Sequence, residues 1–317
     1  MSGIKVVFGG SSINSDRGLG DIKKVQEAFD LLEQAACHNI DTAKLYGDSE
    51  KILGEAGAPK RFTIDTKTAG GFIPNGGANK ANIMSDVQNS KERLGSNVDI
   101  LYIHAPDANT DLEETLSAIN EVYKSGFFKR FGLSNYDAED VQRVYDHCKA
   151  KGYPLPQVYQ GNYSAVARKP EQLLFPTLRK LNMSFYAYSP LAGGFLVKSK
   201  EEIARGAGRF NTGTVLSNMY TAMFGKQSYL DALEEWASIA EDEGVTKADL
   251  AYRWVRYSSP LKPEHGDAMI IGASNVEQLK ETLSSINCGP LSENAVKRID
   301  QLWETIKHEA PLDIFHL

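Results

Sequence analysis

Three cysteines in 317 residues, Cys37, Cys148 and Cys288, are too few and too scattered for a disulfide framework. None stands in a C-x-x-C pair and no His-x-His occurs, so neither a zinc centre nor any other metal site is indicated. The three thiols are expected to be reduced. Positive charge is also short: 35 Lys and Arg face 41 Asp and Glu, leaving −6, and no basic run stands out. A nucleic acid backbone would find little to hold, so no nucleic acid partner is expected. No stretch approaches the ~18 consecutive apolar residues of a membrane span. The opening MSGIKVVFGG carries no signal-peptide cleavage pattern. These absences predict a cytoplasmic chain with no membrane partner. Also missing is a G-x-G-x-x-G turn opening a βαβ unit, which disfavours a Rossmann-type cofactor site. Neither an internal repeat nor a low-complexity segment is visible.

What the chain does have is 42% hydrophobic and 24% charged residues, the balance of a globular protein with a large core. Short apolar, β-branched runs alternate with longer segments of helical period, the pattern of a parallel sheet with crossover helices. Strands are predicted at residues 4–8, 39–41, 62–66, 98–104, 129–133, 157–160, 184–188 and 268–271. Val25, Ala28, Phe29, Leu32, Ala35 and Ala36 make one helical stripe; Leu112, Leu116, Ile119 and Val122 make another. The second opens on Thr110-Asp-Leu-Glu113, a capping-box pattern. Further helical segments lie in 90–94, 137–150, 171–181 and 275–286, with a terminal helix over 293–308. Residues 189–227, rich in Gly, Ser, Thr and Asn, read as one long binding loop or lid. The expected fold is α/β: a (β/α)₈ TIM barrel, one domain over residues 1–317, with the long loop after strand seven and a C-terminal helix.

In such a barrel, chemistry gathers at the C-terminal ends of the strands. Polar residues converge there: Asp41 and Tyr46 after strand two, Lys67 after three, His104 at the end of four. Ser134 and Asn135 follow strand five, Gln160 and Asn162 six, Tyr188 to Leu191 seven, and Gly272 to Asn275 eight. Each has an ordinary reading: Asp41 as a cap, Lys67 as a solvated charge, His104 as a structural histidine, Tyr46 as an interface aromatic. As a set they form an acid catalyst. A tyrosine with pKa near ~10 keeps its proton at neutral pH and gives it up readily only if the phenolate is stabilised. Lys67 could do that by lowering the phenol's pKa, with Asp41 anchoring the lysine, and neutral His104 could orient a carbonyl oxygen. No side chain donates hydride, and a reduced nicotinamide would.

The remaining rim suits that cofactor. Ser134, Asn135 and Gln160 offer groups for a carboxamide, and Tyr188 offers a stacking face. Ser189-Pro-Leu191-Ala-Gly193-Gly could bring backbone donors to a pyrophosphate, or be a simple turn. Gly272, Ser274, Asn275 and Gln278 mark a helix N-terminus that attracts anions, although Asn275 and Gln278 would equally serve as its cap. Arg209 in the long loop has the planar fork to grip a 2′-phosphate, or is an ordinary surface arginine.

The order Asp41 to Tyr46, Lys67, His104-x-Pro-Asp107, Gly132-x-Ser-Asn135, Tyr188-Ser-Pro-Leu191 and Ile270-x-Gly-Ala-Ser274 resembles the aldo-keto reductase superfamily nearly end to end. Gly208-Arg-Phe210, the segment 266–272 and His308-Glu-Ala-Pro311 resemble its aflatoxin-aldehyde reductase branch. The resemblance implies NADPH (NADP⁺ as product), a small-molecule carbonyl substrate such as an aldehyde, dialdehyde or semialdehyde, and a homodimer. Catalysis would rest on Asp41, Tyr46, Lys67 and His104. Thr282 stands where many relatives place an asparagine near the adenine. The first loop, Phe8 to Ile13, and the tail Phe315-His-Leu317 depart from the branch, the tail lacking its terminal arginine. A different reading follows other relatives, the potassium-channel β subunits: a nucleotide-binding regulatory partner with slow turnover.

Overall fold

Eight short runs rich in Val, Ile, Phe and Tyr form the strands β1 (Lys5–Gly9), β2 (Asn39–Asp41), β3 (Thr63–Thr68), β4 (Val98–Ile103), β5 (Phe128–Ser134), β6 (Pro156–Asn162), β7 (Ser184–Tyr188) and β8 (Ala268–Ile271). The computed structural model describes residues 3–16, 18–211 and 213–316, apart from the side chains of residues 215 and 216. The strands pair in sequence order, all parallel, and β8 returns to β1 to close the barrel. This is the expected (β/α)₈ architecture. The strands are buried over most of their residues, β2 and β8 throughout, which is why their sequences run largely apolar instead of alternating.

Side chains still alternate in direction, and that period of two builds the site. Val7, Ile100, Tyr102, Val158, Tyr186, Ala268 and Ile270 pack together as one cluster, with Tyr188 against it. Two residues beyond Tyr102 comes His104, two beyond Val158 comes Gln160, and two beyond Tyr186 comes Tyr188. The candidate side chains continue the same inward rows to their C-terminal ends.

Thirteen helices were found among the described residues: α1 (Ile22–Gln34), α2 (Ser49–Glu55), α3 (Lys80–Leu94), α4 (Leu112–Lys124), α5 (Ala138–Lys151), α6 (Pro170–Leu173), α7 (Phe175–Lys180), α8 (Lys200–Ala204), α9 (Val215–Phe224), α10 (Gln227–Glu243), α11 (Lys247–Arg253), α12 (Val276–Ser285) and α13 (Glu293–Ile306). The apolar stripe of α1 turns Val25, Ala28, Phe29 and Leu32 inward, while Asp21 caps its first turn by accepting from Lys23 and Lys24 N–H. Such a cap contributes about 1 kcal/mol. None of these helices is long and apolar enough to cross a membrane.

Four expectations are corrected. Strand three runs on through Lys67 and Thr68, which pair in register with Tyr102 and Ile103 because the lysine's charge is neutralised inside the barrel. Helix α4 is capped by Asp111, which accepts from Glu113 N–H, whereas Thr110 donates its hydroxyl to Asp107. The segment 171–181 is two short helices, because Pro176 has no N–H to continue the ladder and its ring crowds the preceding turn. Residues 189–227 are not one loop: they hold α8, α9 and two 3₁₀ turns, Ala192–Val197 and Gly208–Phe210, around an aromatic cluster. Phe195 lies 5.5 Å from Phe224 and 6.0 Å from Tyr229, and Phe210 lies 6.3 Å from Tyr220.

Candidate active site

Asp41 ends β2 beside Asp65 of β3, two residues before Lys67. The Lys67 Nζ sits 2.7 and 2.6 Å from the two Asp41 carboxylate oxygens and donates to the Thr42 carbonyl at 2.8 Å. Its side chain is wholly buried, and that of Asp41 is 4% exposed. Burial alone would push the ammonium's pKa down; the adjoining Asp41 carboxylate, seconded by Tyr46 and Asp65, outweighs it and holds Lys67 above its ordinary value. Gln160 Nε2 donates to the same Asp41 Oδ1 at 2.9 Å, so this side chain braces the ion pair as well as lining the rim.

Tyr46 sits on a turn held from three directions. Its carbonyl accepts from Asn14 Nδ2 at 3.1 Å, the next carbonyl, Gly47, accepts from Arg93 at 3.4 Å, and Ser15 N–H donates to Asp48 at 3.0 Å. Gly47 is left-handed (φ 66°), and a Cβ there would come 2.3 Å from Asn14 Nδ2. Lys67 Nζ lies 5.1 Å from the Tyr46 ring centroid, and the His104 ring meets Tyr46 edge-on at 5.8 Å. The phenol's pKa is raised, first because burial disfavours the phenolate; Lys67 pulls the other way and Asp41 adds to the rise. Lys67 therefore acts in the expected direction but does not bring the free phenol below its ordinary value.

His104 follows β4. Asn135 Nδ2 donates to its carbonyl at 2.9 Å, and Phe72 packs edge-to-face on its ring at 5.0 Å. Its Nδ1 is buried and has no hydrogen-bond partner among the described residues. Burial, seconded by the Lys67 charge, holds the imidazole well below its usual pKa, so it is neutral.

The other rim residues divide. Ser134 and Asn135 are buried beside each other (3.1 Å), and Tyr188 donates to Asn135 Oδ1 at 2.8 Å, leaving the half-buried Tyr188 ring in a fixed pose. Asn135 holds αL backbone (φ 59°), which asparagine tolerates better than most residues. Ser189, Ala192, Gly193 and Gly194 all have positive φ, giving a tight concave turn through Leu191. Arg209 donates to the Tyr220 hydroxyl and stacks 5.1 Å from that ring, and its charge is felt at the Tyr46 phenol. Gly272 opens onto free space, with nothing within 4 Å of an added Cβ. At the start of α12, Asn275 caps Gln278 N–H at 2.8 Å and Gln278 Oε1 accepts from Ser274 N–H at 2.7 Å, so both side chains serve the cap. Thr282 is buried on the inward face of α12 with Leu279 and Leu283, where its environment is a helix contact. Leu317 lies outside the described residues.

Three contributors escaped the sequence reading. Asn14 holds the Tyr46 turn, Phe72 packs on His104, and Lys198 brings its ammonium to 3.3 Å from the Gly194 carbonyl. Asn14 and Phe72 act through contacts with segments distant in sequence, whereas Lys198 lies four residues from Gly194 in the Gly-rich loop and carried a local signal.

The sequence model of the Aldo/keto reductase family matches residues 5–304. Oxidoreductase sirO of Leptosphaeria maculans is 37% identical over 316 residues, 96% of this chain and 95% of the relative. Aflatoxin B1 aldehyde reductase member 4 of Homo sapiens is 40% identical over 290 residues, 86% of each chain. Aldo-keto reductase pigE of Monascus ruber is 27% identical over 308 residues, 90% of this chain and 88% of that one. With a closed eight-stranded barrel and an Asp41, Tyr46, Lys67 and His104 cluster on its rim, the chain belongs to the aldo/keto reductase family and is an oxidoreductase.

Proposed function

We propose that this chain reduces aldehydes to alcohols with NADPH, Tyr46 delivering the proton to the carbonyl oxygen. The observation that carries the reading is the Lys67 ammonium, locked between both oxygens of Asp41 and the Thr42 carbonyl and set under the Tyr46 ring. The rim fits a dinucleotide: Tyr188 presents a fixed aromatic face, Gly272 leaves room, and Lys198 and Arg209 bring positive charge to the lid for phosphates. Ser134, Asn135 and Gln160 would hold the carboxamide end. When bound, the reduced nicotinamide supplies the hydride.

The chain's own residues do the rest. Neutral His104 orients the carbonyl oxygen as a hydrogen-bond donor, since burial keeps it from taking a second proton. Tyr46 keeps its proton until that oxygen gains negative charge, then passes it across. The O–H bond of the phenol breaks as the alcohol O–H forms, and Lys67 stabilises the phenolate left behind. Aldehydes are favoured because the relatives' names include aflatoxin B1 aldehyde reductases. The reading sets the enzyme in the cytosol, where its three thiols stay reduced.

The test is steady-state NADPH oxidation with an aromatic aldehyde, wild type against Tyr46→Phe. Loss of a positioned proton donor should slow reduction about 10²- to 10⁴-fold. An unchanged rate would remove Tyr46 from the chemistry.

A further inference from the structure

A functional histidine is ordinarily oriented by a hydrogen bond at the ring nitrogen remote from its substrate. His104 has none: its Nδ1 is buried without a partner among the described residues, and Asn135 reaches only its backbone carbonyl. What touches the ring is aromatic. Phe72 meets it edge-to-face at 5.0 Å and 81°. Phe72 in turn meets Phe315 at 5.4 Å and 88°.

Both phenylalanines of this stack are anchored. Phe72 ends the 3₁₀ turn Gly70–Phe72 after β3, and the turn lies directly on the His104 segment. Gly71 N–H donates to the Ala105 carbonyl at 3.0 Å, and a Cβ on Gly71 would come 1.8 Å from the Pro106 carbonyl oxygen. Phe315 belongs to the C-terminal tail. Asn162 at the end of β6 donates to the Leu312 carbonyl at 3.3 Å, and the buried Asp313 accepts from the N–H groups of Phe315 and His316, both at 2.8 Å. His316 adds a ring contact to Phe315 at 5.3 Å and a hydrogen-bond contact between its Nδ1 and Asp313 at 2.9 Å. The tail is thus tied to the barrel rim, and its ring is presented to Phe72 at a defined angle.

We propose that Phe72 and Phe315 are positioning residues: a three-ring edge-to-face stack makes the C-terminal tail hold the His104 imidazole in its working orientation. The proposal rests on the reading of His104 as the residue that orients the carbonyl. Contacts of this geometry bias a ring between orientations by roughly two- to tenfold each. In a buried imidazole whose Nδ1 has no hydrogen-bond partner among the described residues, that bias is shared with one other ring contact, Tyr46 edge-on at 5.8 Å. The structural alternative is that the two phenylalanines only wall the substrate pocket.

The experiment separates these. Wild type, Phe315→Ala, Phe315→Tyr, Phe72→Ala and the double alanine variant are compared in NADPH-linked reduction of propanal and of 4-nitrobenzaldehyde, with NADPH affinity followed by fluorescence titration. Positioning predicts that Phe315→Ala lowers kcat about tenfold for both aldehydes while NADPH binding holds. It also predicts that Phe315→Tyr restores most of the loss and that the double variant is no worse than Phe72→Ala alone. In ¹⁵N-histidine spectra of the NADPH complex, the His104 ring should give one neutral tautomer in wild type and an exchange-broadened or altered signal in Phe315→Ala. If an alanine variant melts early, the leucine variant at the same position, which keeps apolar volume without the ring's edge and face, takes its place with the same expected loss. A change confined to KM for 4-nitrobenzaldehyde, with propanal kcat and the His104 signal unaltered, would overturn the proposal. The spectra do not depend on turnover, so an inactive wild type or an innocuous Tyr46→Phe would remove the functional reading and leave the stack still tested.

Discussion

Burial acts in opposite senses on the two titrating groups that meet above Lys67. It disfavours charge on each, so the Tyr46 phenol is pushed up and keeps its proton, whereas the His104 imidazole is pushed down and stays neutral. Both shifts favour the states a carbonyl reductase needs. As pH falls through the ordinary histidine value near ~6.5, His104 should not charge; as pH rises toward ~10, Tyr46 should not ionise. The value of kcat/KM for reduction is therefore expected to be flat from about pH 6 to pH 9. An acidic limb centred near ~6.5 that disappears in His104→Gln would show that the imidazole titrates normally and that the burial argument is wrong. Lys67 is a poorer probe than Tyr46, because removing one member of a buried pair costs about 3–5 kcal/mol and mixes instability with chemistry. At this scale Asp41, Tyr46, Lys67 and His104 were legible because they are polar groups at the ends of otherwise apolar strands. Phe72 and Phe315 were not, since an aromatic near a barrel is unremarkable until its neighbours across the fold are known.

The segment after β7 shows what composition conceals. Its Gly, Ser, Thr and Asn content suggests an extended loop, yet Phe195, Phe210, Tyr220, Phe224 and Tyr229 are buried together and give it a small core of its own. The glycines serve that core. Gly193 is left-handed at φ 67°, and a Cβ on it would fall 1.9 Å from the Tyr220 ring, the ring that carries Arg209. Gly193→Ala should therefore displace Tyr220 and release Arg209, destabilising the lid locally by roughly 1–3 kcal/mol. Hydrogen exchange should register this as faster exchange across α9 while the strands stay protected, together with weaker NADPH binding. Equal protection in variant and wild type would show that the lid tolerates the added methyl. Strand positions, by contrast, were readable almost throughout, because a strand covered on both faces has to be apolar. β3 was cut short in the reading because Lys67 and Thr68 look like a loop, and only the neighbouring Asp41 makes that charge compatible with a barrel interior. The break between α6 and α7 was missed, although the absent N–H of Pro176 is the physical signal that marks it.

For the molecule as a whole, the barrel interior is a polar-ended core. Asp41 and Lys67 close one end, Asp99 and Arg130 pair at 2.6 Å nearer the other, and Tyr102, Tyr186 and aliphatic side chains fill the space between. Asp65 stands inside it, fully buried, with one oxygen accepting from Ile100 N–H at 3.2 Å and the other without a partner among the described residues. Burial first, then the Asp41 and Asp99 charges, raises its pKa well above the ordinary carboxylate value. The consequence for stability has a definite sign. Between the ordinary carboxylate value near ~4 and the raised folded value, the folded chain keeps a proton that the unfolded chain has released, so stability falls as pH rises through that window. Asp65→Asn removes the titration while leaving a carbonyl oxygen for Ile100 N–H. Melting curves should therefore show the variant gaining on wild type as pH increases from about 5 to about 8. A Tm difference constant across that range would mean that Asp65 titrates alike in both states, and that the Lys67 and Arg130 charges at the two ends of the barrel compensate its burial.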